Sequence, residues 1–257
     1  MSTTQVALSG FTALVTGATG GLGRAQVATL RRAGATVLAH GRSHDARLAE
    51  LETLTGAVGI TADLATPDGC RALVREATRS GPLDILVANH ATMSMAPLHT
   101  ADPDEWWRVV ETNLLGTFAL VQEAARSMRL AGRGGRIIVI VSEWGVIGWP
   151  DATAYAASKS GLISLVKSLG RELAPEGILV NAVAPGVIDT PQLTVDADAA
   201  GLTLTEMHAE YANAIPVRRI GRAEEIAEAV SFLADPSLTA MVGQIMQVNG
   251  GATRGRV

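Results

Sequence analysis

The sequence predicts an α/β fold: a doubly wound parallel sheet of about seven strands with helices on both faces, in one domain spanning residues 1–257. Three observations predict it. Short, continuous apolar runs recur along the chain, as expected of strands buried on both faces. Longer stretches with apolar residues three and four apart separate them, as expected of helices packed on a sheet. A glycine-rich turn stands between the first apolar run and the first helical stretch, where an open α/β sheet binds ligands beyond its strand ends. Right-handed crossovers then wind the sheet in both directions.

Taken in order, residues 12–15 form the first strand, followed by the glycine turn and a helix from about Leu22 to Arg32. Residues 35–39 form the second strand and residues 58–62 a weaker third. Residues 85–88, 136–141, 179–183 and 244–248 supply the fourth to the seventh. Helical spacing links Trp106, Val109, Val110, Asn113 and Leu114, and again Leu162, Leu165, Val166 and Leu169. The second of these apolar faces either covers the sheet or meets another subunit. Residues 196–201 read as a loop-like acidic stretch at the entrance to a lid over about residues 187–216. No internal repeat is present.

Composition narrows the function. The chain is 47% hydrophobic and 18% charged, which is globular and rather apolar. Its net charge of -4, from 21 basic and 25 acidic residues, gives no electrostatic case for nucleic acid or an acidic membrane. Cys70 is the single cysteine, so no internal disulfide is possible, and a buried structural thiol in a reducing compartment is expected. Residues 1–5 lack the basic and apolar parts of a signal peptide, and the run Ile137 to Val141 is far too short to span a bilayer. These features predict a soluble cytoplasmic protein, with no membrane partner and no metal site.

Thr16-Gly17-Ala18-Thr19-Gly20-Gly21-Leu22-Gly23 follows the first strand and opens the first helix. Glycines let the backbone turn tightly and approach a diphosphate, while the helix N-terminus offers free N–H groups and partial positive charge. Gly17, Thr19, Gly21, Leu22 and Gly23 are the expected contacts. Arg42 follows the second strand, where a dinucleotide fold places the adenosine ribose. A carboxylate there would hold a free 2′-hydroxyl, whereas arginine binds a 2′-phosphate. No acid occurs from Thr36 to His44, so NADP(H) is favoured over NAD(H). Asp63, with Leu64 beside it, either meets the adenine or caps the helix near Pro67. Asn89, after the fourth strand, lines the same cleft or serves as a turn residue.

The chemistry-bearing signal is Tyr155-Ala156-Ala157-Ser158-Lys159, with Ser142 upstream. The chain has only two tyrosines and two lysines, and one of each stands four residues apart, one helical turn. The glycine loop, Asn113, Ser142, Tyr155-x-x-x-Lys159 and Pro185-Gly186 together resemble the short-chain dehydrogenase/reductase family of the classical type, over about residues 8–251.

The resemblance implies a Rossmann-like fold and residue roles. Tyr155 would be the general acid for carbonyl reduction or the base in reverse. Lys159 would lower the phenol's pKa by its charge and bond the nicotinamide ribose. Ser142 would hold the substrate oxygen, and Asn113 a water that links Lys159 to solvent. Pro185, Gly186, the backbone near Ile188 and the Thr190 hydroxyl would hold the nicotinamide carboxamide. Members assemble as dimers or tetramers through the helices that carry Asn113 and Tyr155. The chain departs from the family's Asn-Asn-Ala-Gly after the fourth strand, reading Ala88-Asn89-His90-Ala91. Gly20 stands where many NADP-dependent members carry a basic residue, which leaves phosphate recognition to Arg42.

The implied activity is NADP(H)-dependent hydride transfer between the cofactor and a small-molecule ketone or secondary alcohol. The alternatives are a 3-oxoacyl carrier-protein reductase, against which Glu176 counts, and a non-catalytic nucleotide-sensing regulator. Substrate would meet Met95, Glu143, Trp144, Trp149, Leu193, Met207 and Tyr211, a mostly apolar lining. Glu143 reads either as a contact to a polar substrate group or as a solvent-facing acid.

Overall fold

Strand after strand in this chain has apolar side chains on both sides of the backbone, and such strands need cover on both faces. In the computed structural model, which describes residues 6–253, seven strands form one parallel sheet. They are β1 (Thr12–Val15), β2 (Thr36–Gly41), β3 (Val58–Thr61), β4 (Ile85–Ala88), β5 (Gly135–Ile140), β6 (Ile178–Pro185) and, last along the chain, β9 (Ile245–Val248). Their order is β3-β2-β1-β4-β5-β6-β9. The order reverses at β1 and β4, which places a crevice at the carboxyl ends of these two strands. Residues 1–5, read above for a signal peptide, lie outside the described residues.

Alternate residues of each strand feed opposite layers. Leu14 joins Leu86, Ile137 and Val139 under helices α3 (Pro67–Ala77), α5 (Thr117–Ala131) and α7 (Thr153–Leu173). Ala13 and Val15 join Val37, Val87 and Ile138 under α1 (Gly21–Arg32), α2 (Ala46–Thr55) and α10 (Ala223–Ala234). Cys70 is buried in the first layer, its thiol bonded to the Leu64 carbonyl and pushed up to about 11 by burial. Leu162 and Val166 are buried in that layer too, so this face covers the sheet.

Two features differ from the sequence expectation. The acidic stretch is helical: α8 (Gln192–Ala200) ends at Gly201, whose φ of 69° supplies the left-handed stop. With α9 (Leu204–Ala214) it fills most of the stretch expected to be a lid, next to a two-stranded pairing of β7 (Ile188–Asp189) with β8 (Gly221–Arg222). The helical run around Asn113 is also not continuous. Helix α4 (Pro103–Val110) passes into a π-helical turn over Glu111–Gly116 before α5 begins. Among the described residues, no helix is long and apolar enough to cross a membrane, and no group of three or more His, Cys, Asp or Glu could hold a metal ion.

Candidate active site

The glycine loop is shaped by steric need. Gly17 has φ of 62°, and a Cβ there would come within 3.0 Å of the His90 Cα. A Cβ on Gly23 would stand 2.2 Å from the Gly17 carbonyl oxygen, so only glycine lets α1 start this close to the loop. α1 has no side-chain cap and no acid in its first turn. By contrast, α2, α3 and α4 are capped by Asp45, Thr66 and Asp102. The N-terminal amides of α1 therefore keep their anion-binding capacity.

Neighbouring strand ends brace this loop. The Asn89 amide donates to the Thr16 and Gly17 carbonyls at 2.9 and 3.2 Å. Gly17 N–H donates to His40 Nδ1 at 3.2 Å, which leaves the proton on Nε2 to donate to the Ala62 carbonyl at 3.1 Å. The Thr16 hydroxyl accepts from the amides of Asn89 and His90 and lies 3.0 Å from His90 Nδ1. Burial pushes His90 down to about 3, with the Lys159 and His40 charges acting the same way. The Thr112 carbonyl favours the charged form, yet His90 Nε2 makes no hydrogen bond of ordinary geometry among the described residues. Both imidazoles are thus neutral braces of the loop. Sequence reasoning missed them, although His90 sits within the departure at residues 88–91. Ala91 is exposed and does not have positive φ, so alanine there carries no backbone strain.

Other predicted nucleotide residues surround the loop. Arg42 is exposed just beyond β2 and makes no ion pair among the described residues. Asp63 is exposed after β3. Among the described residues it accepts only from the Ala65 amide, at 3.0 Å, and Thr66 caps α3 in its place. Leu64 is buried beneath it. Thr190 faces the loop: a Cβ on Gly21 would stand 2.8 Å from its methyl group. Pro185 ends β6, and Ile188 is buried in β7.

Tyr155 and Lys159 share one face of α7, with Nζ 5.5 Å from the phenol ring centroid. Lys159 is 2% exposed and donates to the Ile140 carbonyl at 2.7 Å. Burial alone pushes its ammonium down to about 8. The phenol's pKa moves opposite to the expected fall. Burial pushes Tyr155 up to about 12, opposed by a hydrogen bond with Ser142, and Lys159 is engaged at Ile140. Gly145 lets the short helix α6 (Trp144–Ile147) lie against the Lys159 backbone, where a Cβ would come within 2.8 Å. Ser142 stands two residues beyond β5, its oxygen accepting from the Trp144 amide at 3.1 Å.

Asn113 is fully buried in the π-helical turn. Its amide oxygen accepts from Thr92 N–H at 2.8 Å, while Nδ2 donates to the Thr92 carbonyl at 2.8 Å and to Ser158 Oγ at 3.1 Å. Ser158 Oγ in turn donates to the Tyr155 carbonyl at 2.7 Å. The side chain is therefore committed to clamping the β4 loop and α7 together.

The predicted pocket residues divide. Trp144 meets the Tyr155 ring edge-on at 6.0 Å and stacks on Trp149 at 5.0 Å. Met95 and Trp149 are exposed at 45% and 38%. Leu193 and Met207 are buried against Ala197, with Tyr211 packed on them, in a small apolar cluster between α8 and α9. Glu143 is not solvent-facing: it is 5% exposed, and burial pushes its carboxyl up. A groove of about 340 Å³ lies elsewhere, between α5 and α7, and is lined by Phe118, Val121, Leu169 and Leu173.

Residues 17–253 match the family model described as enoyl-(acyl carrier protein) reductase. A cis-4-hydroxycyclohexanecarboxylate dehydrogenase from Sinomonas cyclohexanicum is 38% identical, over 94% of this chain and 96% of its own. A 3-oxoacyl-[acyl-carrier-protein] reductase from Aquifex aeolicus is 34% identical, over 96% of this chain and 99% of its own. The solved structure of a putative 2-deoxy-d-gluconate 3-dehydrogenase from Agrobacterium tumefaciens, with bound NADP, superposes with a TM-score of 0.85 at 31% identity. It covers 97% of this chain and 98% of its own. With the glycine loop and the Ser142, Tyr155 and Lys159 cluster, these similarities show that the chain belongs to the short-chain dehydrogenase/reductase family of oxidoreductases, which use a nicotinamide cofactor.

Proposed function

We propose that this chain is an NADP(H)-dependent oxidoreductase that interconverts a ketone and a secondary alcohol. The observation that carries the reading is the cluster of the Tyr155 phenol, the Ser142 hydroxyl and the buried Lys159 ammonium, at the same carboxyl end of the sheet as the uncapped start of α1.

The residues present fit the cofactor. Gly17, Gly21 and Gly23 stand where a Cβ would meet His90, Thr190 or the loop itself, which holds the loop tight against α1, and the first-turn amides with the Thr19 backbone would hold the diphosphate. Arg42, without an ion pair, would take the 2′-phosphate, with Gly20 contributing no charge. Asp63 and Leu64 would border the adenine and Asn89 the adjoining ribose. Pro185, Gly186, Ile188 and Thr190 would seat the carboxamide. When bound, the nicotinamide supplies or receives the hydride.

The protein's own part is proton handling and orientation. Ser142 would fix the substrate oxygen against Tyr155, whose hydroxyl donates its proton in reduction and recovers it in oxidation. Burial keeps the phenol protonated at neutral pH, the form that donation requires. Drawing Lys159 from Ile140 toward the phenol would place its charge where a base is needed. Asn113 would support a water beside Lys159 through its backbone carbonyl. Met95, Trp144 and Trp149 would contact substrate, under a lid built on Leu193, Met207 and Tyr211.

The carrier-protein reductase alternative draws on the Aquifex similarity. It is disfavoured because Glu176 is ion-paired with Arg129 and offsets that basic group. We place the protein in the cytoplasm as a homodimer or homotetramer, with the α5/α7 groove and the exposed Leu115 and Phe118 as the contact. Steady NADPH oxidation with at least one member of a ketone panel is the expected result. Tight NADPH binding with no turnover on any ketone would favour the nucleotide-sensing regulator.

A further inference from the structure

Glu143 follows Ser142 directly, yet its side chain points away from solvent, across the Pro185-Gly186 turn. Its amide donates to the Pro185 carbonyl at 3.0 Å, and Oε2 lies 3.3 Å from where a Gly186 Cβ would stand. The groups that bond the carboxyl are neutral: the Thr253 hydroxyl, 3.3 Å from Oε2, and the Asn249 side chain. No cation among the described residues pairs with it.

A buried carboxylate is costly unless hydrogen-bonded or paired, and it offers about four acceptor positions, more than these two neighbours fill. Next along the chain, Trp144 stacks on Trp149 at an interplanar angle of 4° and meets the Tyr155 ring edge-on, a flat apolar surface beside the phenol. An acceptor with spare capacity and an indole pair, carried by the two residues that follow Ser142, suit a molecule with hydroxyls along one edge and C–H groups along the other. An alkyl ketone would use the wall and leave the carboxylate unanswered.

We infer that Glu143, backed by Asn249 and Thr253, is a specificity-determining subsite for a second hydroxyl group. The substrate is then a polyol or hydroxylated ring whose oxidised carbon lies next to a hydroxyl-bearing one. This rests on reading the cleft as a ketone or alcohol site.

The test measures binding without turnover. The wild-type protein saturated with NADPH cannot oxidise an alcohol, so it is titrated with a vicinal cyclohexanediol, with cyclohexanol and with a vicinal aminocyclohexanol. The diol should bind about 10- to 100-fold more tightly than cyclohexanol, the range for a hydrogen bond to a charged group. Glu143→Leu should abolish that preference. Glu143→Gln, which keeps the volume, should reduce it at least about fivefold. Equal binding of diol and cyclohexanol overturns the inference. So does a preference that survives in both variants, or tighter binding of the amino alcohol, which would assign a cation subsite. Loss of NADPH affinity matching the loss of diol affinity would make Glu143 a cofactor contact and overturn it too. A wild-type protein that binds the diol selectively but turns over no alcohol or ketone sinks the proposed function and leaves the subsite standing.

Discussion

Lys159→Met should separate function from stability. Lys159 is 2% exposed, and its pKa falls from 10.5 to about 8 on folding, caused by desolvation. Each pKa unit is worth about 1.4 kcal/mol, so the buried charge costs the native state about 3 kcal/mol near pH 7. The sign follows from proton binding. Below about pH 8 the lysine is charged in both states and the whole cost applies. Between about 8 and 10.5 the unfolded chain holds the proton and the folded chain does not, so stability rises with pH. Near pH 10 the cost has shrunk to about 1 kcal/mol. Methionine keeps the length and removes the charge. It also removes the donor to the Ile140 carbonyl, a loss of about 1–3 kcal/mol that is nearly independent of pH. The stability of the variant minus that of the wild type should therefore fall by about 2 kcal/mol between pH 7 and pH 10. Urea unfolding followed by circular dichroism at the two pH values measures it, while activity is lost at both. Parallel pH profiles for the two proteins would refute the buried, uncompensated ammonium.

Two other substitutions probe the nucleotide end. Gly23→Ala would push a Cβ into the Gly17 carbonyl and Ala18 Cα, at 2.2 and 2.7 Å. It should lower NADPH affinity at least about tenfold and destabilise by about 1–3 kcal/mol, as overpacking does; calorimetric titration and a thermal melt check it, and unchanged affinity would mean that the loop does not cradle phosphate. Arg42→Ala should weaken NADPH about 10- to 100-fold and NADH hardly at all, the loss of a charge-assisted phosphate contact. Equal losses for the two cofactors would place 2′-phosphate recognition elsewhere.

The frame of the fold was legible because a parallel sheet writes itself as continuous apolar runs. Residues 12–15 and 85–88 coincide with β1 and β4, and the glycines between β1 and α1 announce close backbone approach. Spacing also placed Tyr155 and Lys159 on one helix face, since helical period converts directly into geometry. What escaped was tertiary. The π-turn holds Asn113 where it bonds the Thr92 backbone across 21 residues, and no local propensity encodes that contact. α8 carries acids where a loop composition was read, and it gains its place from Leu193 and Ala197 packing on Met207. Glu143 looks like a surface acid until the Pro185-Gly186 turn and the C-terminal residues Asn249 and Thr253 close over it. His40 and His90 have no motif of their own. Their role appears only when β2 and β4 lie on either side of the glycine loop.

The most direct trial of the account is Tyr155→Phe, assayed for NADPH oxidation with a ketone that the wild type reduces and titrated separately with NADPH. Turnover should fall at least about 100-fold, as loss of a general acid requires, while NADPH affinity stays within about threefold. A variant that keeps more than about a tenth of the wild-type rate would show that the proton comes from somewhere other than this phenol.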